Sequence, residues 1–128
     1  CVENVYSAVA TPSQYAALVA FDKGMEAMMA MKKEYKKRRD FLVSRINEMD
    51  KISCIMPKGA FYVFANIKKT GLSAEEFAER LLEKEHVAVI PGSNFSKNAS
   101  GYVRISYGTS MEKIEDGLNR MERFLKSL

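Results

Sequence analysis

Ala60-Phe61-Tyr62-Val63-Phe64-Ala65-Asn66-Ile67 is a run in which apolar side chains occupy both alternating sets of positions. Successive side chains of a β-strand point to opposite faces. Phe61, Val63, Ala65 and Ile67 therefore share one face, and Tyr62 and Phe64 take the other. A strand that is apolar on both faces calls for two covers. One face is expected to pack beneath helices of the same domain, and the other to need a cover that a chain of 128 residues does not supply.

Working outward, Pro57-Lys58-Gly59 before this run predicts a hairpin turn, with a preceding strand over 52–56. Two further β-type runs lie at 87–90 and 102–107. Helical patterns separate them. Thr11-Pro12-Ser13-Gln14 reads as a helix start, with Thr11 as N-cap, Pro12 at the first helical position and Gln14 closing a capping box, followed by a short apolar helix over 15–21. A long helix over 23–49 carries Met28, Met31, Tyr35, Leu42, Ile46 and Met49 as its apolar stripe. Ser73-Ala74-Glu75-Glu76 is a second capping box, opening a helix with Phe77, Ala78, Leu81 and Leu82 on one face. The last helix presents Met111, Ile114, Leu118, Met121 and Leu125 at helical spacing, with Thr109 as its expected N-cap. Its acids Glu112, Glu115 and Asp116 come first and its bases Arg120, Arg123 and Lys126 last, as the helix dipole favours. Strand runs separated by helices predict an α/β (α+β) sandwich, a small and mainly antiparallel sheet with helices on one face. The expected organisation is one domain over 1–128, with residues 1–22 as a lead-in segment and short helix.

Composition narrows the function classes without naming one. Hydrophobic residues at 47% and charged residues at 28% are ordinary for a globular domain. A net charge of +4 is compatible with an anionic partner and does not argue for nucleic acid. The basic run Lys32-Lys33-Glu34-Tyr35-Lys36-Lys37-Arg38-Arg39 wraps around a helix and reads as a solvated flank, the alternative being a nucleic-acid-binding patch. No apolar run reaches the roughly 20 residues of a membrane span, and no secretory signal pattern is present. Cys1 and Cys54 form no disulfide or metal spacing and read as reduced thiols. The sequons at Asn94 and Asn98 are expected to be accidental in that setting. His86 closes a helix and has no companion ligands, so no metal site is expected. The start at Cys1 reads as a cut from something longer.

Arg104 is the residue whose chemistry stands out. In Tyr102-Val103-Arg104-Ile105-Ser106-Tyr107 the apolar positions 103, 105 and 107 share one face, and Arg104 and Ser106 share the other. A guanidinium inside a strand is costly to bury alone. It is either a solvated or ion-paired structural residue, or a fork aimed at a carboxylate, which it grips through two parallel N–H bonds. Pro91-Gly92-Ser93-Asn94-Phe95, in a loop after the preceding apolar run, is expected to supply small residues and free amides near that arginine.

Three segments in this order resemble the class I/II aminotransferases of fold type I, in their aspartate aminotransferase-like branch. They are Pro57-Lys58-Gly59-Ala60-Phe61-Tyr62-Val63-Phe64, Val87-Ala88-Val89-Ile90-Pro91-Gly92-Ser93-Asn94-Phe95 and Gly101-Tyr102-Val103-Arg104-Ile105-Ser106-Tyr107. Thr11-Pro12-Ser13-Gln14-Tyr15-Ala16-Ala17 is similar to the segment that leads into the family's small C-terminal domain. Phe95-Ser96 departs from the Phe-Gly of many relatives. The resemblance implies that this is the small domain of a homodimeric, cytoplasmic enzyme, closing over pyridoxal 5'-phosphate held by a large domain absent here. It implies that Arg104 binds the α-carboxylate of amino acid and 2-oxo acid substrates, and that Phe61 lines the same cleft. The family's Schiff-base lysine stands in a Ser/Thr-rich segment of the large domain. Lys23, Lys58, Lys68 and Lys69 lie in other contexts, so no catalytic or cofactor-binding residue is expected in this chain, which alone would be inactive. A related pyridoxal-phosphate lyase or synthase, and a free-standing basic binding module, are the alternatives.

Overall fold

A computed structural model describes residues 8–128, so Cys1 and the lead-in at 2–6 lie outside the described residues. The chain divides into two units, one ending at Glu34 and the other running from Tyr35 to Leu128.

The first unit contains α1 (Thr11–Lys23) and the start of α2 (Met25–Glu48). The expected Thr11 cap is corrected. Ala10 is the N-cap, no side chain caps the helix, and Pro12 lies in the first turn. Gln14 Nε2 instead donates to the Val9 carbonyl at 2.6 Å. The helix also extends beyond the expected 15–21 at both ends. None of its residues is buried, and Tyr15, Leu18, Val19 and Phe21 are exposed. Gly24 separates the two helices, where a Cβ would collide with the Ala20 carbonyl. Met28 and Met31 are exposed as well, so the stripe predicted along the long helix buries nothing in this unit.

The second unit is the α/β sandwich. The remainder of α2 buries Leu42, Val43 and Ile46. It is followed by β1 (Ser53–Cys54), β2 (Tyr62–Asn66), α3 (Ala74–Glu85), β3 (Ile90–Pro91), β4 (Tyr102–Ser106) and α4 (Met111–Lys126). The strands form one sheet in the order β1-β2-β4-β3, with every pairing antiparallel. Three of the four strands expected from sequence are present and shorter than their apolar runs. The run expected over 87–90 is corrected: residues 87–89 are not strand, and β3 is the short pair Ile90–Pro91. β1 and β2 are antiparallel neighbours, but residues 55–61 connect them as a wide loop and not as a tight hairpin at Pro57-Lys58-Gly59. Pro91 is tolerated because β3 lies at the sheet edge, where a missing N–H costs no ladder bond.

The central pair fixes the faces. In β2 and β4, Val63 opposes Ile105 and Ala65 opposes Val103. These four residues are buried with Ile67 and Tyr107 against Leu42, Ile46, Phe77, Leu81, Ile114, Leu118, Met121 and Phe124 of the helices. The helices therefore cover one face, as expected. Phe61 departs from the expected alternation: it precedes β2 and is 52% exposed. Ala60 beside it has a left-handed backbone, φ 62°, which turns the chain before the strand begins. Tyr107 holds that turn, its hydroxyl donating to the Ala60 carbonyl at 2.9 Å and its N–H to the Phe61 carbonyl at 2.8 Å.

α3 keeps its predicted capping box. Ser73 Oγ accepts from the Glu76 N–H at 3.2 Å, and Glu76 Oε2 accepts from the Ser73 N–H at 3.1 Å. Ala74, Phe77 and Leu81 face inward, whereas Leu82 is 50% exposed and leaves the predicted stripe. His86 closes the helix with a left-handed backbone, its N–H donating to the Leu82 carbonyl. The α4 cap falls on Ser110, not Thr109, with Ser110 Oγ accepting from the Lys113 N–H.

Two stability measurements follow from this packing. Phe77 is fully buried edge-to-face against Phe124 at 5.3 Å. Phe77→Ala is expected to cost about 3–5 kcal/mol in urea unfolding, and Leu82→Ala only about 0.5 kcal/mol. The Ser73 hydrogen bonds to Glu76 lower its carboxyl pKa from 4.5, the backbone bond most. The stabilisation from Glu76 is therefore full above the unfolded value and is lost as pH falls through the lowered one. Glu76→Gln should flatten that acid limb of a stability–pH profile. An unchanged limb would mean that the capping carboxylate contributes nothing.

Candidate functional site: a guanidinium facing aromatic rings

Because 103 and 105 point into the core, strand alternation turns Tyr102, Arg104 and Ser106 to the opposite face. The register brings β2 residues of the same parity beside them. Phe64 lies directly opposite Arg104, and Tyr62 lies opposite Ser106, diagonal to the arginine. The Arg104 guanidinium carbon sits over the Tyr62 ring at 5.2 Å and over the Phe95 ring at 4.7 Å. Each ring is braced by another: Phe95 by Phe64 at 5.6 Å and Tyr62 by Phe61 at 5.8 Å, both edge-to-face. Among the described residues no carboxylate pairs with Arg104. Its positive charge is held by ring faces, which leaves the N–H fork available to an anion.

The loop that delivers Phe95 depends on one close approach. Gly92 is buried, and a Cβ there would collide with the backbone carbonyls of Ala99 and Tyr102. Only glycine lets the loop lie this close to the start of β4. The Gly92 carbonyl then accepts from the N–H groups of Phe95 and Ser96, closing a single turn. Ser93 Oγ donates to the Glu75 carboxylate, tying the loop to α3, and that bond is the main cause of Glu75's lowered pKa.

Of the two residues singled out from sequence, Arg104 stands at the centre of this array. Phe61 is one ring removed, touching Tyr62 and lying 6.3 Å from Tyr35. Sequence reasoning missed Tyr62 and Phe95 as the guanidinium's partners. The signal for Tyr62 was present in its shared parity with Arg104 across paired strands. The 91–95 loop was expected near the arginine, but no local pattern marks the Phe95 ring as its partner. Beside the array runs a largely apolar groove of about 460 Å³, lined by Cys54, Ile55, Met56, Tyr62, Phe64 and Tyr102. Burial pushes the Cys54 thiol up to about 11, so it stays protonated at neutral pH and is a poor nucleophile.

The described residues do not fit a covalent pyridoxal-phosphate site. A Schiff-base lysine needs its amine desolvated or placed beside another cation. No polar or charged residue among those described is buried, and Lys23, Lys58, Lys68 and Lys69 are all exposed. Lys68 lies over the Tyr102 ring at 5.2 Å. No group of three or more His, Cys, Asp or Glu residues among those described could hold a metal ion. No helix among them is long and apolar enough to cross a membrane.

Fold and site together define a two-layer α/β domain that presents one arginine fork on the sheet face turned away from its helices. Comparison with known proteins places it more closely. The profile of the family "Aminotransferase class I and II" matches residues 2–121, and the chain belongs to that family. It is 48% identical over 115 residues to the aspartate aminotransferase of Pyrococcus abyssi, covering 88% of this chain and 29% of that protein. It is 46% identical over 115 residues to aromatic-amino-acid aminotransferase 2 of Thermococcus litoralis, with the same coverage of 88% and 29%. The solved alanine aminotransferase of Pyrococcus furiosus matches with a TM-score of 0.93 at 31% identity, over 99% of this chain and 33% of that one. The chain thus spans about 30% of the length of these relatives.

One measurement checks the lysine assignment. Incubation with pyridoxal phosphate, borohydride reduction and peptide mass spectrometry should find scattered, substoichiometric labelling of exposed lysines. Stoichiometric labelling at one position would overturn it.

Proposed function

We propose that this chain is the small domain of a pyridoxal-phosphate-dependent aminotransferase and binds the carboxylate shared by amino acids and 2-oxo acids. The whole enzyme transfers an amino group between the two. The observation that carries this reading is Arg104, a guanidinium with no carboxylate partner among the described residues, facing Tyr62 and Phe95 on the open side of the sheet. Family membership supplies the reaction class. The large domain, not this chain, holds the cofactor, and the working enzyme is a cytoplasmic homodimer.

The chemistry divides accordingly. When bound, the cofactor supplies the electron sink. Arg104 supplies orientation: two parallel N–H bonds to a carboxylate fix both its position and its plane. Anchored in this way, the substrate's Cα–H is held in one direction, which converts a loose encounter into a positioned one. Phe61 contributes an apolar wall beside the anchor. Relatives acting on aspartate, aromatic amino acids and alanine share this domain, so the anchor is suited to the group that all amino acids have in common.

Arg104→Ala in the enzyme carrying this domain should lower kcat/KM for amino donors and oxo acids alike. The expected loss is about 2–5 kcal/mol, the range for truncating one partner of a buried charge pair. Arg104→Lys should recover only part, since an ammonium cannot reproduce the fork. An amine without a carboxylate should be nearly indifferent to either change. Should Arg104→Ala melt the domain and slow every substrate equally, Arg104 would be a structural residue and the reading would fail.

A further inference from the structure

An arginine side chain that must meet a carboxylate with both N–H groups has a cost hidden in its own freedom. It has many rotamers, and a fork that wanders must be ordered each time the ligand arrives. Ion pairing is the usual way to hold such a side chain, but a carboxylate neighbour would occupy the same N–H groups that the ligand needs. The Arg104 surroundings avoid that competition. Tyr62 and Phe95 each present a ring face to the guanidinium, at 5.2 and 4.7 Å. A ring face attracts the cation's charge and does not consume its in-plane donors. The rings are held in turn: Tyr62 is rooted in β2 and touches Phe61, and Phe95 touches Phe64, the residue paired with Arg104 across the ladder. Gly92 and the Ser93–Glu75 hydrogen bond fix the loop that carries Phe95. The device is assembled from a strand, its partner and a loop, and every part converges on one guanidinium.

We propose that Tyr62 and Phe95 are positioning residues that pre-orient Arg104 through their ring faces, leaving its N–H fork free for the substrate carboxylate. This rests on the carboxylate-binding reading of Arg104. It also separates the roles of two adjacent aromatic residues. Phe61 walls the cleft, while Tyr62, one position later, acts on the arginine.

The test is a double-mutant cycle in the full enzyme, read as kcat and KM for an amino acid and for an amine without a carboxylate. Phe95→Leu keeps bulk and removes the π face, and Tyr62→Ala removes the ring. Each should reduce kcat/KM for the amino acid by about 2- to 30-fold, the span of cation–π contacts, mostly through KM. Tyr62→Phe, which retains the face, should restore most of what Tyr62→Ala loses. In an Arg104→Ala background both ring substitutions should become nearly silent, and turnover of the carboxylate-free amine should not respond to them. Ring substitutions that cost as much without Arg104 as with it, or that slow both substrates equally, would overturn the proposal and leave the carboxylate reading standing. Phe95→Leu matching the parent enzyme would do the same. If Arg104→Ala itself fails to discriminate between the two substrates, the carboxylate reading falls and the positioning role falls with it.

Discussion

The structure depends on the parity of two paired strands. Burying Val63, Ala65, Val103 and Ile105 beneath the helices commits β2 and β4 to a single register, because a slip of one residue would turn every side chain to the wrong face. Once that burial is made, the even-numbered positions have no choice. Arg104 is placed on the open side by the apolar contacts of its neighbours and not by any contact of its own. A charged residue at 103 or 105 would be buried without a partner at a large cost in stability, whereas one at 104 is carried on the open face.

Around that pair, the remaining elements control how the open face is furnished. Tyr107 ends the inward set and uses its hydroxyl and N–H to hold the chain before β2, where Ala60 takes a left-handed backbone. That turn removes Phe61 from the ladder and puts it beside Tyr62. On the other flank, the close approach at Gly92 sets the path of the loop that delivers Phe95. A two-sided aromatic setting for one arginine therefore arises from elements far apart in the chain, each fixed by an ordinary packing or hydrogen-bonding requirement. The first unit follows different physics. Its helices bury none of their described residues within the unit and expose Leu18, Phe21 and several methionines.

Legibility in the sequence followed the range of the forces involved. The Ser73/Glu76 box was readable because both partners lie within one turn and no tertiary contact competes for them. The caps expected at Thr11 and Thr109 each missed by one residue, since neighbouring Ala10 and Ser110 have the non-helical backbone that a cap requires. Helical spacing located the buried stripe of α4 well, but it gave Met28, Met31 and Leu82 the same weight as Leu42 and Phe77. Periodicity reports which residues share a face and is silent on whether that face is met by another element. Phe61 shows the same limit in a strand. Its place in the alternation was correct as a pattern, yet the ladder begins one residue later.

The sequence by itself determined the central strands, the helices and the parity that sends Arg104 away from the core, because alternation and helical spacing are local properties of the chain. The edge strand β3 fell outside most of its expected run. It also carried the family resemblance, through short segments whose order survives without any structure. Only the tertiary structure decided what surrounds the guanidinium. Tyr62 and Arg104 are neighbours because β2 and β4 pair in one register, and Phe95 joins them because a loop closes onto β4 at Gly92. Those distances depend on long-range closure, which no local pattern encodes. The guanidinium's aromatic setting, and with it the availability of its fork, is therefore a property of the folded chain.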